Sequence, residues 1–246
     1  HHIETARHYG SSERQLGWAM PDSPDAGRIL QTNVPPQQDP ALFEADLELS
    51  MQRLGVQRVD LLSIHGINRR DHLAQTIRSG GCLEVVRRWQ QSGRIGHVGF
   101  STHGDTDVIV EAIETDAFDY VNLHWYFIRQ DNESAIAAAH RHDMGVFIIS
   151  PTDKGGHLHT PAQRLIELTA PLHPIVFNNL FCLRDERVHT LSVGAACPQD
   201  LDLHLDAVSR LDDAQALVSP IEARLHQAEV EALGHDWLRS WRQGLP

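Results

Sequence analysis

Val59-Asp60-Leu61-Leu62-Ser63-Ile64-His65 is a β-type run with too many apolar residues for a strand that keeps one face in water. Both of its faces need cover, which is the condition of an interior strand in a parallel sheet. The residues before it supply such cover. Phe43, Leu47, Met51 and Leu54 recur at intervals of four, four and three, the buried stripe of a helix. Asp39-Pro40 reads as an N-cap with proline at the first helical position, and Gly55 as the stop. Further upstream, Arg28-Ile29-Leu30-Gln31-Thr32 is a strand ending at Val34-Pro35-Pro36.

The same grammar continues downstream. A helix is expected from Cys82 to Gln91, closed by Gly93, then a strand over Ile95-Gly96-His97-Val98-Gly99-Phe100-Ser101. Helix Asp105 to Glu114, strand Phe118 to His124, helix Glu133 to His142 and strand Val146 to Ser150 follow. Residues 161–183 read as helical with a break near Pro171 to Pro174. Val188 to Val193 is a strand, Pro198 to Arg210 a helix, and the tail from about Pro220 to Trp241 a further helix. With Ile3-Glu4-Thr5 as a strand end, the chain offers seven strands. Strand–helix alternation with two-sided burial predicts a parallel sheet under helices.

No Gly-rich dinucleotide fingerprint follows the first strand, which disfavours a Rossmann domain. Polar residues gather just past strand C-terminal ends: Tyr9, Asn33, His65, Ser101, Asn122 and Ser150. That is the face on which (β/α)8 barrels build their sites. The predicted fold is therefore an α/β (β/α)8 TIM barrel, one domain over 1–246, with its first strand and helix expected to precede His1.

Composition narrows the function classes. Lys+Arg 21 against Asp+Glu 33 gives a net charge of −12 with no basic block, which argues against a nucleic-acid binder. No run approaches the ~18 apolar residues of a membrane-spanning helix, and His1-His2-Ile3-Glu4 does not open a signal peptide. Cys82, Cys182 and Cys197 form neither a disulfide framework nor a CxxC knuckle, so a reducing, cytoplasmic setting is expected. Histidine is abundant at 17, but His140 and His142 point to different helix faces, and His157 and His159 have only Asp153 nearby. Solvated histidines, and no metal site, are the expectation.

Four stretches resemble the aldo-keto reductase family, in the family's order. Glu4-Thr5-Ala6-Arg7-His8-Tyr9-Gly10-Ser11-Ser12-Glu13-Arg14-Gln15-Leu16-Gly17 is similar to its Asp-Thr-Ala-x-x-Tyr-Gly-x-Ser-Glu-x-x-Leu-Gly signature. Leu54 to His65 resembles its Leu-Gly-x-x-x-Val-Asp-Leu-x-x-Ile-His element. Gly93 to Ser101 is similar to its Gly-Lys-Ile-Arg-x-Ile-Gly-Val-Ser strand, and Val193-Gly194-Ala195 with Pro198 to its last strand and cofactor loop.

The resemblance implies a barrel that binds NAD(P)H at the strand C-termini and reduces an aldehyde or ketone, a small-molecule carbonyl substrate. It implies Tyr9 as proton donor and His65 as the group that orients the carbonyl. A free phenol titrates near 10, so a neighbouring cation is needed to bring it towards neutrality. The family uses a lysine paired with an aspartate; here those positions are Asn33 and Glu4. Asn33 can hydrogen-bond Tyr9 or Glu4 but adds no positive field, and an ionised Glu4 raises the phenol pKa. Two readings stay open. One is a weakened or repurposed reductase, with His65 or a relayed water sharing the acid role. The other is a nicotinamide-binding or scaffold protein without turnover. Tyr9 taken alone could also simply plug a barrel mouth.

The cofactor positions are mixed. Ser101-Thr102 stands where the family often has Ser-Asn, Asn122 at a glutamine position, and Ile149 where many members stack a tyrosine. Ser150-Pro151-Thr152-Asp153-Lys154-Gly155-Gly156 resembles the pyrophosphate loop. Lys154, the only lysine in the chain, is either a phosphate contact or a solvated loop residue. In Gly194-Ala195-Ala196-Cys197-Pro198-Gln199-Asp200, Asp200 falls at an arginine position. A carboxylate there repels a 2′-phosphate and can bond a ribose hydroxyl, which leans towards NAD(H) over NADP. Cys197 reads as a packing or loop residue. His189 to His204 and Gly234-His235-Asp236-Trp237-Leu238 resemble a subgroup that continues into a ferredoxin-like extension, but no CxxCxxC occurs.

Overall fold

The computed structural model describes residues 2–22 and 27–240. The chain forms two compact units. The first comprises His1–Trp125, Arg129–Ile149 and Arg187–Ser192; the second comprises Tyr126–Ile128, Ser150–Glu186 and Val193–Pro246.

The first unit carries seven strands: β1 (His2–Ala6), β2 (Ile29–Val34), β3 (Val59–His65), β4 (Ile95–Ser101), β5 (Tyr120–Leu123), β6 (Gly145–Ile149) and β7 (Thr190–Ser192). Each pairs in parallel with the next in chain order. Side chains of β1 also meet those of β5, β6 and β7 across the interior. Glu4 accepts hydrogen bonds from Asn122 and Ser192, and the rings of His2 and Phe147 meet edge to face at 5.3 Å. The sheet is thus a nearly closed barrel of parallel strands. Core strand residues such as Leu62, Ile64, Val98, Phe100 and Val121 have no exposed surface, the two-sided burial that the run Val59–His65 demands.

Around it run α1 (Ser12–Ala19), α2 (Pro40–Leu54), α3 (Arg70–Ile77), α4 (Cys82–Gln91), α5 (Thr106–Ile113) and α6 (Glu133–Arg141). Helix α2 follows its local chemistry closely. Asp39 Oδ1 accepts from the Ala41 amide, Pro40 takes the first position, and Gly55 ends the helix in the left-handed region. Phe43, Leu47, Met51 and Leu54 are the buried stripe. In α4 the stripe is Cys82, Val85, Val86 and Trp89, and the Trp89 indole donates to Glu44 on α2 at 2.8 Å.

The second unit holds α7 (Gln163–Thr169), α8 (Pro174–Leu183), α9 (Asp202–Ser209), α10 (Ala214–Leu233) and α11 (His235–Ser240). Helix α8 is buried along nearly its whole length.

Several expected boundaries move. Strands β5 and β7 are shorter than Phe118 to His124 and Val188 to Val193. The helix expected from Pro198 opens as a 3-10 turn before α9. The tail helix expected from Pro220 begins six residues earlier, with Pro220 inside it. Proline lacks the amide that would bond the Ala216 carbonyl, but Ala214, Val218, Ile221 and Leu225 are buried on one face and carry the helix through. Trp241, the expected end, lies outside the described residues. Among those residues no helix is long and apolar enough to cross a membrane.

Candidate active site

The polar rim expected at the strand C-terminal ends is present in the first unit. Asn33 is the penultimate residue of β2, while His65 and Ser101 close β3 and β4. Tyr9 lies in the turn after β1, where Gly10 takes a positive φ of 58° and the Tyr9 amide bonds back to the Ala6 carbonyl. Because all these strands run parallel, their ends share one rim. The Tyr9 and His65 rings meet edge to face there, with centroids 5.8 Å apart. Tyr9 keeps 55% of its surface exposed, so the pair stands at an open mouth. A tyrosine that plugged the barrel would be covered.

Electrostatics set both protonation states. Burial, with the Glu4 carboxylate adding to it, raises the Tyr9 pKa above the ordinary phenol value. Burial, reinforced by His8 and His103, lowers that of His65. At neutral pH the rim therefore presents a protonated phenol and an uncharged imidazole. His103 also meets the buried His124 at 2.7 Å between Nδ1 and Nε2, an imidazole pair in addition to the Tyr9–His65 pair.

Glu4 is the hub beneath the rim. Its Oε1 accepts from Asn33 Nδ2 at 3.0 Å, Asn122 Nδ2 at 3.0 Å and Gln31 Nε2 at 3.3 Å, and its Oε2 accepts from the Ser192 hydroxyl. All four donors are neutral, and among the described residues no cationic side chain pairs with this carboxylate. Asn33, whose amide could bond either Tyr9 or Glu4, bonds Glu4, and its Nδ2 also reaches the Thr5 carbonyl at 2.8 Å.

The expected cofactor residues of this unit are differently occupied. Ser101 Oγ accepts from the Gly66 amide at 3.2 Å and keeps its proton to donate. The Thr102 hydroxyl donates to the Ile67 carbonyl at 2.7 Å and accepts from the Gly104 amide. Thr102 is also buried, so its polar atom shapes the β4–α5 loop. Asn122 has no exposed surface, and its amide is spent on Glu4 and Gln31. Both side chains are thus partnered within the protein, as buried polar groups generally are.

In the second unit, Ser150 and Asp153 take positive φ of 55° and 61°, and Gly155 and Gly156 follow at 84° and 75°. Left-handed backbone at the two non-glycine positions costs about 1–2 kcal/mol each. The turn is closed by the Gly156 amide on the Asp153 carbonyl and the Leu158 amide on the Thr152 carbonyl. Thr152 is buried within this turn and Lys154 is exposed on it. Gly194 and Ala195 are exposed. Asp200 turns back on its own turn: Oδ2 accepts from the Ala196 and Cys197 amides and Oδ1 from Cys197 Sγ. This capping box uses the carboxylate that was expected to meet a ribose.

Gln31 and Ser192 carry no motif in the sequence, although both join the hub. Gln31 lies two residues before Asn33 on β2 and so shares its face, a signal that strand alternation alone carries. It also bonds His2 at 2.9 Å. Among the described residues no group of three or more His, Cys, Asp or Glu is placed to hold a metal.

Residues 1–173 match the model of the aldo/keto reductase family. Solved structures of similar fold include the aldo-keto reductase AKR11C1 from Bacillus halodurans in its holo form. It is 18% identical with a TM-score of 0.72, over 88% of this chain and 82% of that one. An aldo/keto reductase from Klebsiella pneumoniae, solved in complex with NADP and acetate, is 18% identical with a TM-score of 0.68, over 88% and 80%. The glycerol dehydrogenase AKR11B4 from Gluconobacter oxydans is 17% identical with a TM-score of 0.67, over 91% and 81%. No curated protein matches the chain.

Proposed function

The chain belongs to the aldo/keto reductase family, and from that premise we propose that it is an oxidoreductase that reduces a small aldehyde or ketone with NAD(P)H. The carrying observation is the Tyr9–His65 pair, edge to face at 5.8 Å on the open rim. When bound, a reduced nicotinamide dinucleotide would supply hydride chemistry to the carbonyl carbon. The uncharged His65 imidazole donates a hydrogen bond that orients the carbonyl oxygen. As that oxygen gains charge, the Tyr9 hydroxyl gives it a proton, and the phenolate regains one from solvent. The half-exposed position of Tyr9 supports this return path.

The supporting pair is altered. Glu4 and Asn33 set a carboxylate and a neutral amide beside Tyr9, and among the described residues no cationic side chain is placed to acidify it. Tyr9 stays protonated at neutral pH but is a reluctant acid, so the chemical step is slow. On the family resemblance alone, the candidate dinucleotide contacts of the first unit are Ser101, Thr102 and Asn122, and those of the second unit, taken by itself, are Ser150, Thr152, Lys154, Gly194 and Ala195. Asp200 keeps a carboxylate near the last of these and supports NAD(H), although its capping role weakens that support. Within the family we place the chain beside members with a ferredoxin-like extension, on the likeness of residues 189–204 and 234–238.

The same missing cation favours a second reading, a nicotinamide-binding protein without turnover. Following NADH and NADPH oxidation against a panel of aldehydes, alongside a binding titration of each dinucleotide, separates the two. Turnover lost in Tyr9→Phe supports the reductase. Tight binding without turnover supports the rival.

A further inference from the structure

The second unit holds a cavity of about 160 Å³ whose lining residues all belong to that unit and include neither Tyr9 nor His65. Its wall is predominantly apolar: Phe127, Leu158, Leu165 of α7, Pro174 and Phe177 of α8, and Leu225 of α10. The Phe127 and Phe177 rings meet edge to face at 5.2 Å and make an aromatic corner of it. Two polar side chains in the wall are occupied within the protein. Asn178 Oδ1 accepts from the Phe127 amide and its Nδ2 donates to the Pro151 carbonyl, while the Thr169 hydroxyl donates to the Leu172 carbonyl. An apolar cavity of roughly 150 Å³ stays dry and takes a benzene-sized guest.

Two carboxylates complete the lining, and no cationic side chain is among the described lining residues. Glu229 stands four residues beyond Leu225 on α10, so the two share a helix face. Its side chain keeps 46% of its surface in water, beside the His226 ring at 3.7 Å, which places it where the cavity meets solvent. Asp153 is half-buried in the left-handed turn, and the Lys154 amide that donates to its Oδ1 leaves its charge in place. An apolar body with a few charged groups at its edge is the usual form of a small-molecule site, the body setting affinity and the charges orientation. We propose that this cavity binds a small aromatic amine as its ammonium ion. The ring packs against Phe127 and Phe177, and the ammonium turns to the carboxylates of Asp153 and Glu229. An aryl carboxylate of the same size would instead bring like charges together. The site does not rest on the reductase reading, and its test does not use activity.

The experiment is calorimetric titration of the whole chain near neutral pH with benzylammonium, benzyl alcohol and benzoate at equal ionic strength. Benzylammonium should bind saturably, in about the millimolar range for so small a guest. Benzyl alcohol should bind more weakly, and benzoate not at all. Leu165→Trp, which fills the cavity from α7, should abolish binding. Glu229→Gln alters only an exposed side chain, so it still decides if Leu165→Trp does not fold. It should weaken benzylammonium about threefold to fivefold and leave benzyl alcohol unchanged. Three results would each overturn the proposal: no saturable binding of benzylammonium, benzyl alcohol or benzoate binding as tightly, or benzylammonium affinity unchanged in Glu229→Gln. Binding retained in a folded Leu165→Trp would overturn it as well.

Discussion

Asn33 gives its amide to Glu4 Oε1 at 3.0 Å, and the same carboxylate raises the pKa of Tyr9. The two facts belong together. A neutral amide satisfies the carboxylate's hydrogen-bonding capacity while leaving its charge in place, and that charge then acts on the next titratable group above it. A lysine ammonium at position 33 would do the opposite, cancelling the charge and adding a positive field to the phenol.

Replacing Asn33 by lysine should therefore increase turnover at neutral pH by about tenfold or more, within the range that general acids supply. It should also create a basic limb in the pH–rate profile as Tyr9 becomes titratable. Steady-state rates of Asn33→Lys across pH would check this. Unchanged rates and an unchanged profile would show that the missing cation does not limit the reaction.

Tyr9→Phe removes only a hydroxyl from a residue that is 55% exposed. Turnover should fall by about 10²–10⁴, while dinucleotide affinity and Tm stay close to those of the parent. A variant that loses binding and activity together would assign Tyr9 to the architecture of the rim.

The pH dependence follows from the two opposite shifts. Tyr9 is raised and His65 lowered, so both are in the required form from about pH 6.5 to about pH 10, their unperturbed values. The kcat/KM for reduction should be flat across that window, and a basic limb near pH 8 would refute this. His65 also links to stability. Its folded pKa lies below the unfolded one, so its contribution is present above about pH 6.5 and is lost as pH falls through the folded pKa.

Gly99→Ala tests the reach of Tyr120. The new methyl would meet both the Tyr120 ring and the Tyr120 carbonyl oxygen at 2.5 Å, and overpacking of this kind costs about 1–3 kcal/mol. Denaturant unfolding should show a midpoint shift of that size. A loss below about 0.5 kcal/mol, the range of ordinary surface changes, would mean that both the ring and the β4–β5 backbone give way to the methyl.

Much of the fold is legible in the sequence. The run Val59–His65 and the stripe of Phe43, Leu47, Met51 and Leu54 carry strong periodicity, and both became the elements expected of them. Helices α1 and α3 did not announce themselves: each has eight residues, and their buried positions are Glu13 in one, Leu73 and Thr76 in the other. A stripe that thin has no readable period. The meeting of Tyr9 and His65 at one rim is legible because a motif names both residues and parallel strands bring their ends together. Gln31 and Ser192 were missed because their role depends on strands 27 and 188 residues from Glu4 in the chain. The burial of Thr102 and Asn122 is illegible in the sequence for a related reason. Position in a motif says where a side chain stands, but its partners are set by what else is buried there.

The exposed turn that carries Lys154 offers a practical opening. As the only lysine in these 246 residues, it is the one side-chain amine that an acylating dye can find. A fluorophore placed there would report whether a dinucleotide reaches that turn, with no engineered cysteine and no competing label on another side chain.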